Sequence, residues 1–195
     1  VVREDFELEA ELVRRPEARA ALVVASGGCT ALSLSRIFPG LQVVGFDRNP
    51  TQIAQVRSKE HAVRRGDLAA LNVATDDPRG VNQRGDFEGL FRQLRTFLDE
   101  FVFNPDEARS FFASTTNNRP TILAHWCASP YWKVAFELVF HDALLHAMFG
   151  ADATRHAVPG SYPTYFQKAF ERALARPDAA TNPFLQHVLL GCYLD

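Results

Sequence analysis

Short β-branched runs along the chain alternate with longer stretches whose apolar residues recur every three or four positions. Ala21-Leu22-Val23-Val24-Ala25 is one such run and ends on Ser26-Gly27-Gly28; Leu41 to Phe46 is a second and ends on Asp47. Apolar runs bounded by glycine predict strands buried on both faces, as in a parallel sheet. Around them the pattern turns helical. Residues 3–15 place Phe6, Ala10 and Val13 on one stripe among Glu and Arg, while Leu8 and Leu12 fall elsewhere. Thr30 to Phe38 reads as a helix closed by Pro39-Gly40. Asn49-Pro50, a favoured cap and first helical residue, opens another that runs to Arg65, with Gly66 as its C-cap. Residues 21–66 thus read strand, glycine turn, helix, strand, acid, helix: the first βαβ unit of a nucleotide-binding sheet.

Beyond it the pattern is mainly helical. Residues 72–85 gather Asp, Asn, Gly, Pro and Arg and predict an exposed loop. Phe87, Leu90, Phe91, Leu94, Phe97, Leu98, Phe101 and Val102 then fall on steps of three and four, the clearest amphipathic helix in the chain. Asn104-Pro105-Asp106-Glu107 repeats the cap-and-proline start with acids in the first turn. Thr121 to Ala124 fits either a short strand or a turn. Residues 131–149 predict one mostly apolar helix, residues 163–175 another amphipathic one, and Asn182-Pro183 starts a last helix towards Leu190. The division drawn is a cofactor-binding βαβ part, 1–71, and a mainly helical substrate-side part of the same domain, 72–195.

Composition narrows the class. The 195 residues are 47% hydrophobic and carry 16 Phe, which excludes disorder and allows a sizeable core without staples. Charge is nearly balanced, 21 basic against 23 acidic residues, so no electrostatic footprint for nucleic acid is expected. Cys29, Cys127 and Cys192 are widely spaced, which argues against a disulfide framework and against zinc and fits a reducing, cytoplasmic compartment. No stretch reaches the roughly 18 apolar residues of a membrane span. The chain begins at Val1 rather than Met, which leads to the expectation of a partial chain.

The chemistry concentrates at two places. Ser26-Gly27-Gly28-Cys29-Thr30 sits where a strand hands over to a helix. Glycines there let the backbone approach a ligand, and the helix presents unpaired N–H groups suited to a carboxylate or phosphate. Asp47 follows 20 residues after Gly27, at the end of the second strand, a spacing that sets a carboxylate beside the turn to accept from ribose hydroxyls. The plain alternative is a tight turn and a capping Asp. The pattern departs from G-x-G-x-x-G and lacks a P-loop, which favours an adenosine-type cofactor over a dinucleotide or a phosphate-transferring ATPase. The second place is the helix at 131–149, with Lys133 four before Glu137, Glu137 four before His141, and Asp142 four before His146. His141 or His146 tuned by Asp142 is the candidate acid or base; the plain alternative is a core helix with satisfied polar pairs. His61, His125, His156 and His187 show no metal spacing. Pro159-Gly160-Ser161-Tyr162-Pro163 is a turn into a helix and not a hydrolase elbow.

These segments carry a resemblance. Val24-Ala25-Ser26-Gly27-Gly28-Cys29-Thr30-Ala31-Leu32 and Asp47-Arg48-Asn49-Pro50-Thr51-Gln52 resemble the S-adenosylmethionine:diacylglycerol 3-amino-3-carboxypropyltransferase family of betaine-lipid synthesis. Tyr131 to Glu137, Asp142 to Leu145, Ala147 to Gly150, Pro159 to Pro163 and Asn182 to Leu185 extend it over nearly the whole chain. The resemblance implies an α/β, Rossmann-like class I S-adenosylmethionine-dependent transferase fold with a large helical portion. It implies S-adenosyl-L-methionine as cofactor, with Gly27 and Gly28 lining its methionine and ribose end, Asp47 holding the ribose, and Asn49 and Gln52 close by. It further implies a lipid hydroxyl as acceptor and hence peripheral contact at the inner membrane. Methyl transfer to a small molecule on the same fold, and a cofactor-binding fragment without turnover, remain alternatives. Family members continue past the Asn182–Leu185 segment into further strands and an acceptor-side motif, so an incomplete sheet is expected. The Phe-rich helices at 87–102 and 163–175 fit lipid contact or, as such stripes more commonly do, core packing.

Overall fold

The computed structural model describes residues 6–15, 17–113 and 118–194. It is mixed α/β and mostly helical, and it divides into two compact units, Val1–Leu71 and Asn72–Asp195. The N-terminal unit runs α1 (Glu7–Val13), β1 (Ala20–Val24), α2 (Cys29–Ile37), β2 (Gln42–Phe46) and α3 (Pro50–Arg65), closing on a 3-10 turn at Ala69–Leu71. Residues 3–5 of the expected first helix lie outside the described residues. Asn49 caps α3 by accepting from the Thr51 amide at 2.9 Å, and Gly66 ends it in the left-handed region at φ 65°, as its sequence signals required.

β1 and β2 are parallel, with Leu22 opposite Val44 and Val24 opposite Phe46. The expectation of strands buried on both faces is corrected here. On one face Ala21, Val23 and Val43 are half-buried, and a cavity of about 260 Å³ separates that side from the helices, lined by Ala25, Ala31, Val43, Ile53 and Val56. On the other face Leu22 is 70% exposed, Val24 55%, Val44 46% and Phe46 49%. Apolar content alone does not bury a strand; burial on both faces needs a covering layer on each.

The C-terminal unit holds α4 (Asp86–Phe101), α5 (Pro105–Phe112), α6 (Arg119–Ala128), α7 (Pro130–Val139), α8 (Asp142–Phe149), α9 (Tyr162–Leu174) and α10 (Pro183–Leu190), with 3-10 turns at Ala151–Thr154 and Ala179–Thr181. Leu90, Leu94 and Leu98 of α4 are fully buried with Trp126, Trp132 and Phe136. The two indoles satisfy their N–H groups on carboxylates, Trp126 Nε1 donating to Glu107 Oε1 and Trp132 Nε1 to Glu171 Oε1, each at 3.0 Å. Buried donors without such partners would cost about 1–3 kcal/mol each. The stripes of α4 and α9 face this core, with Phe101 and Tyr165 left exposed.

Three sequence readings change in this unit. Thr121 to Ala124 is neither strand nor turn but lies inside α6, which starts beside Pro120. The single helix expected over 131–149 is two. α7 stops at Phe140, fully buried and stacked on Phe166 with ring centroids 4.1 Å apart. His141 then takes the N-cap of α8, its Nδ1 accepting from the Ala143 amide at 3.2 Å. A ring acceptor at that position competes with continuation of the helix. The segment 72–85 is irregular, as read, but much of it is not exposed. Asn72, Val81, Asn82 and Gln83 are buried. Asn72, at φ 59°, donates from Nδ2 to the carbonyls of Thr75 (3.3 Å) and Asp77 (2.9 Å) and accepts the Asn82 amide at 3.2 Å. Val73 bridges Tyr193 in parallel, and Gln83 Nε2 donates to the Gly191 carbonyl at 2.6 Å. Side-chain amides replace water for this backbone, so a polar segment folds inward.

Candidate functional site

The β1–α2 turn is built by side chains brought from β2 and α3. Ser26 holds φ 44° and Gly28 φ 85°, both left-handed. For a non-glycine residue such as Ser26 that conformation costs about 1 kcal/mol. Asp47, at the end of β2, offsets it: Oδ2 accepts from the Ser26 amide at 3.1 Å while Oδ1 accepts from the Asn49 amide at 2.8 Å. One carboxylate thereby joins the glycine turn to the start of α3. Each of its oxygens keeps a further lone pair for an outside donor.

Gly27 and Gly28 are buried, Cys29 is half-buried as the first residue of α2, and Gly28 occupies the N-cap with no side-chain cap. The first-turn amides of α2 have no intrahelical acceptor by geometry. Thr30, on that turn, is 6% exposed, and its hydroxyl is buried with no partner among the described residues. An orphaned hydroxyl beside open amides is a donor set for an anionic or carbonyl oxygen. Asn49 serves α3 as its cap, and Gln52 is half-buried on the first turn of α3.

Lys59 belongs to the same turn and was not singled out from sequence. It is 4% exposed, and its ammonium donates to the Gly27 carbonyl at 2.6 Å and reaches Cys29 Sγ at 4.0 Å. Gly28 is equally constrained: a Cβ there would stand 2.9 Å from Val56 Cγ2. Ile53, Val56, Lys59 and Ala62 are spaced every three residues on α3, so the available signal was a lysine on an otherwise apolar stripe.

The histidine segment is arranged differently from expectation. Lys133 and Glu137 do pair, at 3.2 Å, on the exposed face of α7. His141 caps α8. Asp142 Oδ2 accepts from the Gly160 amide at 2.8 Å, and His146 Nε2 hydrogen-bonds the Thr154 hydroxyl. The helix break at Phe140 separates Glu137 from His141, whereas Asp142 and His146 share α8 and each takes a partner outside it, the Gly160 amide and the Thr154 hydroxyl. His141 and His146 are exposed; Asp142 ties α8 to the Pro159–Ser161 turn, and His146 ties it to the 3-10 turn at Ala151–Thr154. In the same unit a cavity of about 500 Å³ opens between α6 and α9, walled by Pro120, Leu123, Ala124 and Leu174 with Arg119 and Arg176 among its lining.

Among the described residues no cluster of three His, Cys, Asp or Glu is placed to hold a metal ion, and no helix is long and apolar enough to cross a membrane. No protein-family model matches the chain, and no curated protein and no solved structure matches it either.

Proposed function

We propose that the chain binds S-adenosyl-L-methionine at the Ser26–Thr30 turn and belongs to an aminocarboxypropyl transferase acting on the hydroxyl of diacylglycerol or a similar lipid. The observation that carries this reading is the Asp47–Ser26 hydrogen bond, which ties the carboxylate following β2 to the turn that leads into α2, whose first turn carries the buried, unpartnered Thr30 hydroxyl. In the proposed arrangement residues 1–71 are the opening part of a Rossmann-like sheet, and the helical unit 72–195 serves the acceptor.

The residues fit the ligand's chemistry. Asp47 accepts from the ribose hydroxyls with its remaining lone pairs, and Gly27 and Gly28 leave room for the backbone to approach. The first-turn amides of Cys29 and Thr30 and the Thr30 hydroxyl donate to the carboxylate. Asn49 and Gln52 border the ribose. When bound, the cofactor would supply a sulfonium-activated γ-carbon, so that an acceptor oxygen could form a C–O bond there as the C–S bond breaks, with methylthioadenosine leaving and the hydroxyl proton passing to a base. Alignment of the acceptor then governs the rate.

A second reading is binding without transfer, since His141, Asp142 and His146 bond to the Ala143 amide, the Gly160 amide and the Thr154 hydroxyl rather than to one another. Calorimetry with S-adenosylmethionine tests the binding step: wild type binds, and Asp47→Ala weakens binding at least about tenfold through loss of two ribose hydrogen bonds. Absence of binding by wild type, or an unaffected Asp47→Ala, refutes the site. Incubation with labelled cofactor and lipid extract tests the transfer: methylthioadenosine release supports it, S-adenosylhomocysteine release indicates methyl transfer, and neither product supports binding alone.

A further inference from the structure

The cleft between α6 and α9 lies wholly within residues 72–195, so what it binds does not depend on what the Ser26–Thr30 turn holds. Its walls are Pro120, Leu123 and Ala124 from α6, and Leu174, Ala175 and Pro177 from the end of α9 and the residues after it. At about 500 Å³ it has the size of a small-molecule site, and Ala124 and Ala175 line it where larger side chains would fill it. We propose that this cleft binds an aliphatic monocarboxylate, with the carboxylate on Arg119 and the chain along the apolar walls.

The charges of the cleft select that ligand. Two guanidinium groups line it. Arg176 is already paired: its Nε and Nη2 donate to the two carboxylate oxygens of Asp178 at 2.9 and 3.1 Å. Arg119 is not. Its Nη2 donates to the Pro177 carbonyl at 3.1 Å, which holds the guanidinium against the segment after α9, and among the described residues no carboxylate pairs with it. The first turn of α6 supplies no acid either. The remaining N–H groups of the Arg119 fork match a carboxylate bidentately. The other end of the cleft is different. Cys127 stands about 12 Å farther along α6 at the helical rise of about 1.5 Å per residue. Desolvation, and then the Glu171 carboxylate, push its thiol up to about 11, so it stays protonated and forms a neutral wall. Glu171 is itself engaged, accepting from Trp132 Nε1 at 3.0 Å and Gln167 Nε2 at 2.9 Å. A negative charge near Cys127 disfavours an anion there, so the head of the ligand lies at Arg119 and its tail runs towards Cys127. Apart from the two arginines and the thiol, the lining offers no hydrogen-bonding side chain and no aromatic ring, which suits a chain without polar groups. An extended octanoate spans this length.

Calorimetry on the whole chain compares octanoate with octanol, which lacks the charge, and with acetate, which lacks the chain. Octanoate is expected to bind saturably and about fivefold more tightly than octanol, the range of a partly exposed charge-assisted pair, with no measurable binding of acetate. Arg119→Gln keeps a donor to the Pro177 carbonyl and removes the charge, so octanoate falls to within about twofold of octanol, whose own affinity is unchanged. Arg119→Lys retains part of the preference. Ala124→Phe fills the cleft and abolishes binding of both ligands. Location is read independently, in wild type, from maleimide alkylation of Cys127 followed by peptide mass: octanoate slows it, and this measurement stands even if Ala124→Phe does not fold. Octanoate binding that does not saturate, equal affinities for octanoate and octanol in wild type, an Arg119→Gln that keeps the preference, or Cys127 alkylation that octanoate leaves unchanged overturns the proposal. Acetate binding as tight as octanoate marks an adventitious ion only and overturns it as well.

Discussion

Asp99 on α4 gives a measurable pH dependence. Burial pushes its carboxyl up to about 6 from the ordinary 3.8, and nearby Asp76 adds to this, against the opposing pull of Arg95 and Arg109. At about 1.4 kcal/mol per tenfold change in proton affinity, a rise of this size corresponds to about 3 kcal/mol, which water reaching the half-buried group reduces to about 1 kcal/mol. The sign follows from proton counts. Between about pH 4 and 6 the folded state holds a proton on Asp99 that the unfolded state has released, so stability from this group is complete below that window and is lost as pH rises through it. Asp99→Asn keeps the shape and removes the titration. Both tryptophans, Trp126 and Trp132, are buried in unit 72–195 with Asp99, so their fluorescence in urea reports its unfolding. The midpoint difference between Asp99→Asn and wild type, at equal slope, is expected to widen in favour of the variant by about 1 kcal/mol from pH 4 to pH 7. A constant difference across that range, or one that widens in favour of wild type, would refute the reasoning.

Gly28→Ala places a Cβ against Val56 at φ 85° and is expected to cost about 1–3 kcal/mol in thermal or urea unfolding of the N-terminal unit, with loss of ligand binding. A neutral effect would mean that the turn is not constrained. Replacing His141 by Ala removes the cap of α8 and should cost about 1 kcal/mol in urea melts; a preserved stability would show the imidazole cap to be idle. Leu34→Ala, at a fully buried position on α2, is expected to cost about 2–5 kcal/mol, whereas Leu22→Ala, 70% exposed on the open sheet face, should cost under about 1 kcal/mol. Equal costs in denaturant melts would mean that the sheet face is covered in solution.

Local signals were the most legible part of this protein. Asn49-Pro50 and Gly66 bound α3 because capping and left-handed geometry are satisfied within a few residues, and Asn104-Pro105 and Asn182-Pro183 start α5 and α10 for the same reason. The stripe from Leu90 to Leu98 became core because its spacing matches the helix. The pairing of Asp47 with the glycine turn was also readable, since a parallel crossover sets the ends of consecutive strands side by side.

Other features depend on partners distant in sequence. Nothing local tells that Asn72 and Gln83 turn inward, because the carbonyl that Gln83 needs belongs to Gly191. The break at Phe140 is accompanied by stacking on Phe166, and Lys59 reaches the glycine turn only because α3 lies against the Gly27 carbonyl. The sequence by itself determined the starts of α3, α5 and α10 and the glycine turn between β1 and α2, since capping, periodicity and glycine geometry act over a few residues. Tertiary structure decided which polar groups are buried and what they hold: the cost of desolvating an amide, an imidazole or an ammonium is set by whatever packs around it.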